Sequence, residues 1–159
     1  MIVVDANVIV ALVIANSIAS SARAVLAADA DWIVPSLWQS EVLNALLNEV
    51  KAGNVTLEGA LEAADTAAQV LHDRVRECRA SAILTTAHTS RLTAYDATYV
   101  VLARSLGLLL VTEDKQILRA CPDVARSMRQ FLSPRQPPPA VREKPATYRA
   151  RNAGKRGGS

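Results

Sequence analysis

Hydrophobic residues along the chain fall into two alternating patterns. Short, mostly apolar runs at 2–4, 31–34 and 108–112 predict strands, and their continuous character is typical of strands buried on both faces of a parallel sheet. A short strand or loop after 73, a helix from about 80, a weak strand near 124 and a final "RQFL" segment are also predicted. The main helical stretches are 8–15, 17–28, 36–53, 56–72, 93–107 and 113–120. This alternation predicts an α/β fold with a mostly parallel sheet and helices on both faces.

Helix boundaries are marked by capping signals. The segments "SLWQ", from Ser36, and "TAYD", from Thr93, match the capping box, in which a Ser or Thr side chain caps a helix and the residue three positions later bonds back. Thr56 is predicted to cap the helix that follows it. Gly53 and Gly107 are predicted to end the helices that precede them.

Charge divides the chain into two parts. The 159 residues carry a formal net charge of +3 and are 50% hydrophobic, enough to bury a core without disulfides. Residues 134–159 carry seven basic side chains and one acidic one, whereas residues 1–133 have a net charge of −3. We therefore predict one domain over 1–133 and a disordered, basic Pro/Arg/Gly-rich tail over 134–159. The tail either adds non-specific affinity for nucleic acid through phosphate contacts or is an extension without a function.

Several classes of protein are disfavoured. Cys78 and Cys121 lie far apart in the sequence, and His72 and His88 are the only histidines, which argues against a zinc site or a disulfide framework. The longest uninterrupted apolar run covers 8–15, far short of the roughly 20 residues that span a bilayer. No signal-peptide pattern is found, so a soluble, cytoplasmic protein without membrane contact is expected.

Four acidic residues are expected to meet at one edge of the sheet. Asp5 and Asp114 follow predicted strands, and Glu41 and Asp96 lie in the first turns of predicted helices. Ligands of parallel α/β sheets bind at the carboxyl ends of the strands. Carboxylates that cluster without a basic partner repel one another unless a cation neutralises them, and an oxygen-only site suits Mg²⁺ or Mn²⁺. Such ions serve phosphodiester hydrolysis.

Each acid also has a structural interpretation. Asp5 could cap the helix near residue 8, and Asp96 suits the third position of its capping box. Glu41 is an ordinary residue for a helix, and Asp114 is an ordinary turn residue. The prediction of a metal site therefore depends on the set rather than on any one member.

The segments around these acids resemble a known family. "VVDANVIVAL", "PSLWQSEVLNAL", "LTAYDATYVVLA" and "LLLVTEDKQIL" are similar to the four sequence blocks of PIN-domain ribonucleases, most closely the VapC-type toxins of bacterial toxin–antitoxin systems. The blocks have the family's order and span residues 1 to about 132. The resemblance implies a three-layer α/β/α fold around a parallel sheet of about five strands.

The same resemblance implies an activity. It predicts an endoribonuclease that uses one or two Mg²⁺ or Mn²⁺ ions and cuts RNA to leave a 5′-phosphate and a 3′-hydroxyl. Asp5 and Asp96 match the most direct metal ligands, while Asn7 and Thr112 match polar positions that orient ligands or water. The full set of implied catalytic and metal-site residues is Asp5, Glu41, Asp96 and Asp114.

The resemblance also implies partners, and other functions remain open. VapC-type toxins are held inactive by an antitoxin, so an antitoxin partner and a homodimer or antitoxin-bound hetero-oligomer are expected. A solitary RNA-processing nuclease and a non-catalytic module that binds RNA or a partner are alternatives. A phosphatase of the haloacid-dehalogenase type is a weaker one, with Asp5 as nucleophile, Lys115 contacting phosphate, and Glu113 and Asp114 as metal ligands.

Overall fold

The computed structural model describes residues 1–133, and the predicted tail at 134–159 lies outside the described residues. Strands and helices alternate as the hydrophobic pattern predicts. In chain order the elements are β1 (Ile2–Val4), α1 (Ala6–Val13), α2 (Ala19–Ala28), β2 (Trp32–Pro35), α3 (Trp38–Lys51), α4 (Leu57–Val70), β3 (Val75–Arg76), α5 (Ala80–Ser90), α6 (Ala94–Leu106), β4 (Leu110–Val111), α7 (Lys115–Ala120), β5 (Ala125–Arg126) and α8 (Met128–Leu132).

The five strands form one parallel sheet in the order β3-β2-β1-β4-β5. Strand β1 lies at the centre, where Val3 pairs with Leu110 and Val4 with Val111 of β4. Helices flank the sheet, which confirms the predicted α/β/α fold with a parallel five-stranded sheet. Because all pairs are parallel, the carboxyl ends of the strands lie along one edge of the sheet.

Aliphatic side chains supply most of the core. All three residues of β1 are buried, and the β-branched side chains of Val3 and Val4 are fully enclosed. Helix α6 packs against β1 and β2 with a run of buried residues from Ala97 to Ala103. Among residues 1–133, no helix is both long and apolar enough to cross a bilayer.

Two of the predicted helix caps are observed. The Thr56 hydroxyl accepts a hydrogen bond from the Gly59 amide at 3.1 Å, and the Thr93 hydroxyl accepts one from the Asp96 amide at 3.1 Å. Helix α6 ends at Gly107, whose φ of 64° lies in the left-handed region that glycine adopts without a steric penalty.

The capping box predicted at Ser36 is wrong. Strand β2 extends through Pro35, and α3 begins at Trp38 with Leu37 at its N-cap position and no side-chain cap. The Ser36 hydroxyl instead donates to Glu77, just beyond β3, at 3.3 Å. Because β2 ends one residue later than predicted, Ser36 lies one residue too early to cap α3, and its hydroxyl bonds to a residue beyond the neighbouring strand β3.

The cap at Thr56 can be tested by substitution. Thr56→Ala leaves the Gly59 amide without its partner and should lower the free energy of unfolding by about 1 kcal/mol in urea denaturation. Thr66→Ala is the matched control, since Thr66 is an exposed residue within the same helix, and its hydroxyl bonds to the Glu62 carbonyl and to nothing else in residues 1–133. An equal loss in both variants would contradict a capping role for Thr56.

Candidate active site

Asp5 lies where the central strand ends and the first helix begins. Its amide donates to the Val111 carbonyl at 3.0 Å, which extends the pairing of β1 with β4 by one residue. Its carbonyl accepts from the Val8 amide at 3.0 Å and so begins α1. The Asp5 side chain makes no cap hydrogen bond, so only its backbone carbonyl takes part in the start of α1. The carboxylate is therefore available for other contacts at the edge of the sheet.

Thr112 and Asn7 hold the Asp5 carboxylate. Oδ2 of Asp5 accepts from the Thr112 hydroxyl at 2.6 Å and from the Asn7 side-chain amide at 2.8 Å. Asn7 also donates to the Thr112 hydroxyl at 3.2 Å, and its Oδ1 accepts from the Glu113 amide at 3.1 Å. Asn7 therefore ties the start of α1 to the loop after β4, and the Asp5 side chain is fixed in one orientation.

Glu41, in the first turn of α3, is held by a tyrosine that the sequence analysis did not select. The Tyr99 hydroxyl donates to Oε2 of Glu41 at 2.5 Å, the short separation of a hydrogen bond to a charged acceptor. Tyr99 lies on α6 three residues after Asp96, and residues at this spacing share a helix face. That spacing is the signal in the sequence that could have identified it.

Asp96 is oriented by the residue that caps its helix. Its Oδ2 accepts from the Thr93 hydroxyl at 2.7 Å, while the same hydroxyl accepts from the Asp96 amide. In a capping box, the Asp96 carboxylate would accept a hydrogen bond from the Thr93 backbone amide. Here it accepts one from the Thr93 hydroxyl instead. Asp96 is partly exposed at the sheet edge.

Burial and mutual repulsion govern the ionisation of Asp5. The residue is only 8% exposed, and desolvation raises its pKa to about 6 against the opposing effect of the Thr112 hydrogen bond. The charges of Glu41 and Asp96 raise the pKa of Asp5 further. The carboxylates of Glu41 and Asp96, from two other segments, are therefore close enough to Asp5 to oppose its ionisation.

Glu41 and Tyr99 show the same effects. Desolvation raises the pKa of Glu41, the Tyr99 hydrogen bond opposes this, and the charge of Asp96 raises the pKa further. The pKa of Tyr99 is also raised, first by burial and then by its bond to Glu41 and the charge of Asp5. Tyr99 therefore stays protonated and acts as a hydrogen-bond donor to the site.

Asp114 and Glu113 lie beside the cluster but bond to backbone amides. Oδ1 of Asp114 accepts from the amides of Gln116 and Ile117, at 2.7 and 2.8 Å, and caps α7. The Asp114 amide donates to the Thr112 hydroxyl at 2.9 Å, which connects this loop to Asp5. Glu113 accepts from the Met128 amide at 2.8 Å. The carboxylates that interact through their charges are therefore Asp5, Glu41 and Asp96, and Asp114 lies next to this cluster.

Comparison with known proteins identifies the fold and the family. A model of the PIN domain matches residues 2–121. The chain belongs to the PIN domain family. The crystal structure of PAE2754 from Pyrobaculum aerophilum is similar, with 25% sequence identity and a TM-score of 0.64 over 81% of this chain and 84% of that one. A search of curated proteins gave no significant match. PIN domains are generally nucleases, and they typically use divalent metal ions.

The carboxylates of this PIN domain suit a hard divalent cation in chemistry but do not form a closed site. Within residues 1–133, no three Asp, Glu, His or Cys side chains are grouped tightly enough to hold a metal directly. One oxygen of each of Asp5, Glu41 and Asp96 is instead turned towards a hydroxyl group. An all-oxygen set with a few direct ligands fits Mg²⁺, which keeps several of its own waters.

The burial of Asp5 predicts an unusual dependence of stability on pH. Because the folded-state pKa is about 6 and the unfolded value is 3.8, Asp5 contributes stability below pH 4 that is lost as the pH rises through 6. Asp5→Asn keeps the acceptor for Thr112 and removes the charge. In chelator-treated protein at pH 8, it should raise the free energy of unfolding by on the order of 3 kcal/mol.

Measuring stability at several pH values separates the effect of the buried Asp5 charge from a stabilisation by Asn that does not depend on charge. In urea denaturation the gain from Asp5→Asn should shrink steadily between pH 8 and pH 4. Asp65→Asn, an exposed carboxylate on α4, should change stability little at either pH. A gain that does not vary with pH would contradict the elevated pKa of Asp5.

Proposed function

We propose that this chain is a Mg²⁺- or Mn²⁺-dependent endoribonuclease that hydrolyses RNA phosphodiester bonds. One observation carries the proposal: Asp5, Glu41 and Asp96 are gathered at one sheet edge, and residues 1–133 supply no basic partner for them. Within residues 1–133, none of the three forms a salt bridge with a Lys, Arg or His side chain. Three uncompensated carboxylates would repel an RNA phosphate, so binding substrate here requires a cation.

The roles of the residues follow from their contacts. Asp5, Glu41 and Asp96 would hold the ion, with Asp114 as an additional ligand, directly or through water. Glu41 Oε1 and Asp96 Oδ1 accept no hydrogen bond from the described part of the chain, so these oxygens are free to bind. Thr112 and Asn7 keep the Asp5 carboxylate in place. A divalent ion held by these residues would supply a water molecule of lowered pKa and would neutralise charge on the phosphate oxygens.

The energetic penalty at Asp5 supports catalysis over simple binding. A pKa of about 6 for a buried Asp means that its ionised form is disfavoured in the absence of a cation. Strongly shifted pKa values concentrate at functional sites, where the altered protonation of a side chain serves the chemistry. A non-catalytic module that binds RNA through its phosphates gains nothing from three buried or half-buried acids.

The phosphatase alternative leaves Glu41 and Asp96 without a role, although the charges of both act on Asp5. Glu113 accepts from the amide that begins α8, and Asp114 caps α7. These bonds leave Asp114 one free oxygen and make Glu113 a structural link between the loop after β4 and α8.

We further propose the toxin role, with an antitoxin as partner. The VapC-like blocks support it, and a small upstream reading frame for a DNA-binding antitoxin is the expected genomic neighbour. Absence of such a frame would favour a solitary processing nuclease, with the same chemistry and an unchanged metal requirement.

Asp96→Asn tests the catalytic proposal. The full-length protein should cleave RNA with Mg²⁺ or Mn²⁺ and lose activity with a chelator, and Asp96→Asn should lower cleavage by about 100-fold or more. Asparagine can still accept the Thr93 hydrogen bond, so the circular dichroism spectrum should not change. Asp65→Asn should cleave normally. Wild-type cleavage by Asp96→Asn, or cleavage that survives chelation, would overturn the proposal.

Two substitutions separate the roles of Asp114. Asparagine caps helices as well as aspartate, whereas alanine does not. If Asp114 serves the metal, Asp114→Asn should keep the wild-type stability but lower cleavage by about tenfold. Asp114→Ala should in addition lose about 1 kcal/mol of stability. Normal cleavage by Asp114→Asn would make Asp114 a helix cap and nothing more.

A further inference from the structure

Tyr99 is buried in the core but ends at the acidic edge. Only 1% of the residue is exposed, and its ring lies among the largest fully buried side chains. Helix α6, which carries it, packs against both β1 and β2. A phenylalanine could fill this volume, so packing alone does not account for the hydroxyl.

The hydroxyl bonds to one acceptor, and that acceptor belongs to another helix. Tyr99 donates to Oε2 of Glu41, 58 positions away in the sequence, at 2.5 Å. Glu41 is half-buried and lies in the first turn of α3. A half-buried glutamate side chain can adopt several rotamers, and it loses conformational entropy when it is held in one of them. The buried ring of Tyr99 supplies a rigid donor that offsets this loss before any ligand binds.

The same face of α6 brings two carboxylates together. Asp96 and Tyr99 are three residues apart on one helix face, and the Glu41 carboxylate that Tyr99 holds is close enough to Asp96 to feel its charge. Oε2 of Glu41 is committed to the hydroxyl, and Oε1 is free of hydrogen bonds from the described residues. The bond therefore selects which oxygen of Glu41 faces a ligand.

We propose that Tyr99 is a positioning residue, whose hydroxyl fixes the Glu41 carboxylate for binding of a divalent cation. This inference rests on the proposed function, because it assigns Glu41 to the metal. It assigns to Tyr99 no contact with the ion or with RNA. Outer hydrogen-bond partners of this kind orient a metal's ligands and strengthen its binding.

Tyr99→Phe tests the proposal by removing one oxygen atom. Titration calorimetry of the full chain with Mn²⁺ should show binding weakened by about tenfold. Tyr95→Phe is the matched control, since Tyr95 lies on the same helix, is 66% exposed and should bind Mn²⁺ as the wild type does. Equal affinity in wild type and Tyr99→Phe would overturn the proposal.

A double-mutant cycle with Glu41→Gln separates positioning from general destabilisation. If Tyr99 acts through the Glu41 carboxylate, Tyr99→Phe should not weaken Mn²⁺ binding further when Glu41 is already Gln. A loss of the same size in both backgrounds would show that the hydroxyl acts on the fold as a whole, which would overturn the proposal.

Cleavage kinetics give a second readout. In Tyr99→Phe, the Mn²⁺ concentration for half-maximal RNA cleavage should rise by about tenfold, while the rate at saturating Mn²⁺ should change less. A lower saturating rate at unchanged Mn²⁺ dependence would contradict positioning for the metal. If the wild type bound no Mn²⁺, both the inference and the proposed function would fail. If the wild type bound Mn²⁺ and Tyr99→Phe bound it equally well, the inference would fail and the proposed function would stand.

Discussion

The hydrogen bond from the Thr112 hydroxyl to the Asp5 carboxylate joins the ends of the two central strands at 2.6 Å. The two residues are 107 positions apart, and they meet because β1 and β4 pair in parallel with Val4 opposite Val111. A carboxylate in this place is ordered but poorly solvated, which is why its pKa rises to about 6. Asn7 bonds to the same two side chains, and the loop after β4 bonds to Thr112 through the Asp114 amide.

Neutral hydroxyl groups, rather than basic side chains, orient the acids of the site. This choice matters because a hydroxyl fixes a carboxylate without cancelling its charge, whereas a Lys or Arg would do both. The negative charge is therefore not cancelled by these contacts, as the proposed cation site requires. The charge also disfavours RNA in the absence of the ion, which would couple metal binding to substrate binding. The three pairs are Asp5 with Thr112, Glu41 with Tyr99, and Asp96 with Thr93.

Local patterns predicted the fold well, and long-range contacts account for what was missed. Strand β1 and the caps at Thr56 and Thr93 depend on neighbouring residues, so the sequence contained the information. The error at Ser36 arose because the position where β2 ends and the Glu77 partner beyond β3 are set by pairing within the sheet. Tyr99 was missed for a similar reason: its hydroxyl matters only because the fold brings it to Glu41 on α3, 58 positions away in the sequence. The roles of the acids in metal binding and catalysis stay predictions.

Proton release on metal binding tests the central claim, which is that the carboxylates of Asp5, Glu41 and Asp96 bind a divalent ion. Because ionised Asp5 is disfavoured until a cation binds, Mn²⁺ should displace protons. Calorimetric titration in two buffers of different ionisation enthalpy measures this release. The account predicts a measurable release at pH 6 that falls towards zero at pH 8 and is reduced in Asp5→Asn. Absence of Mn²⁺ binding, or a release at pH 6 that Asp5→Asn leaves unchanged, would contradict it.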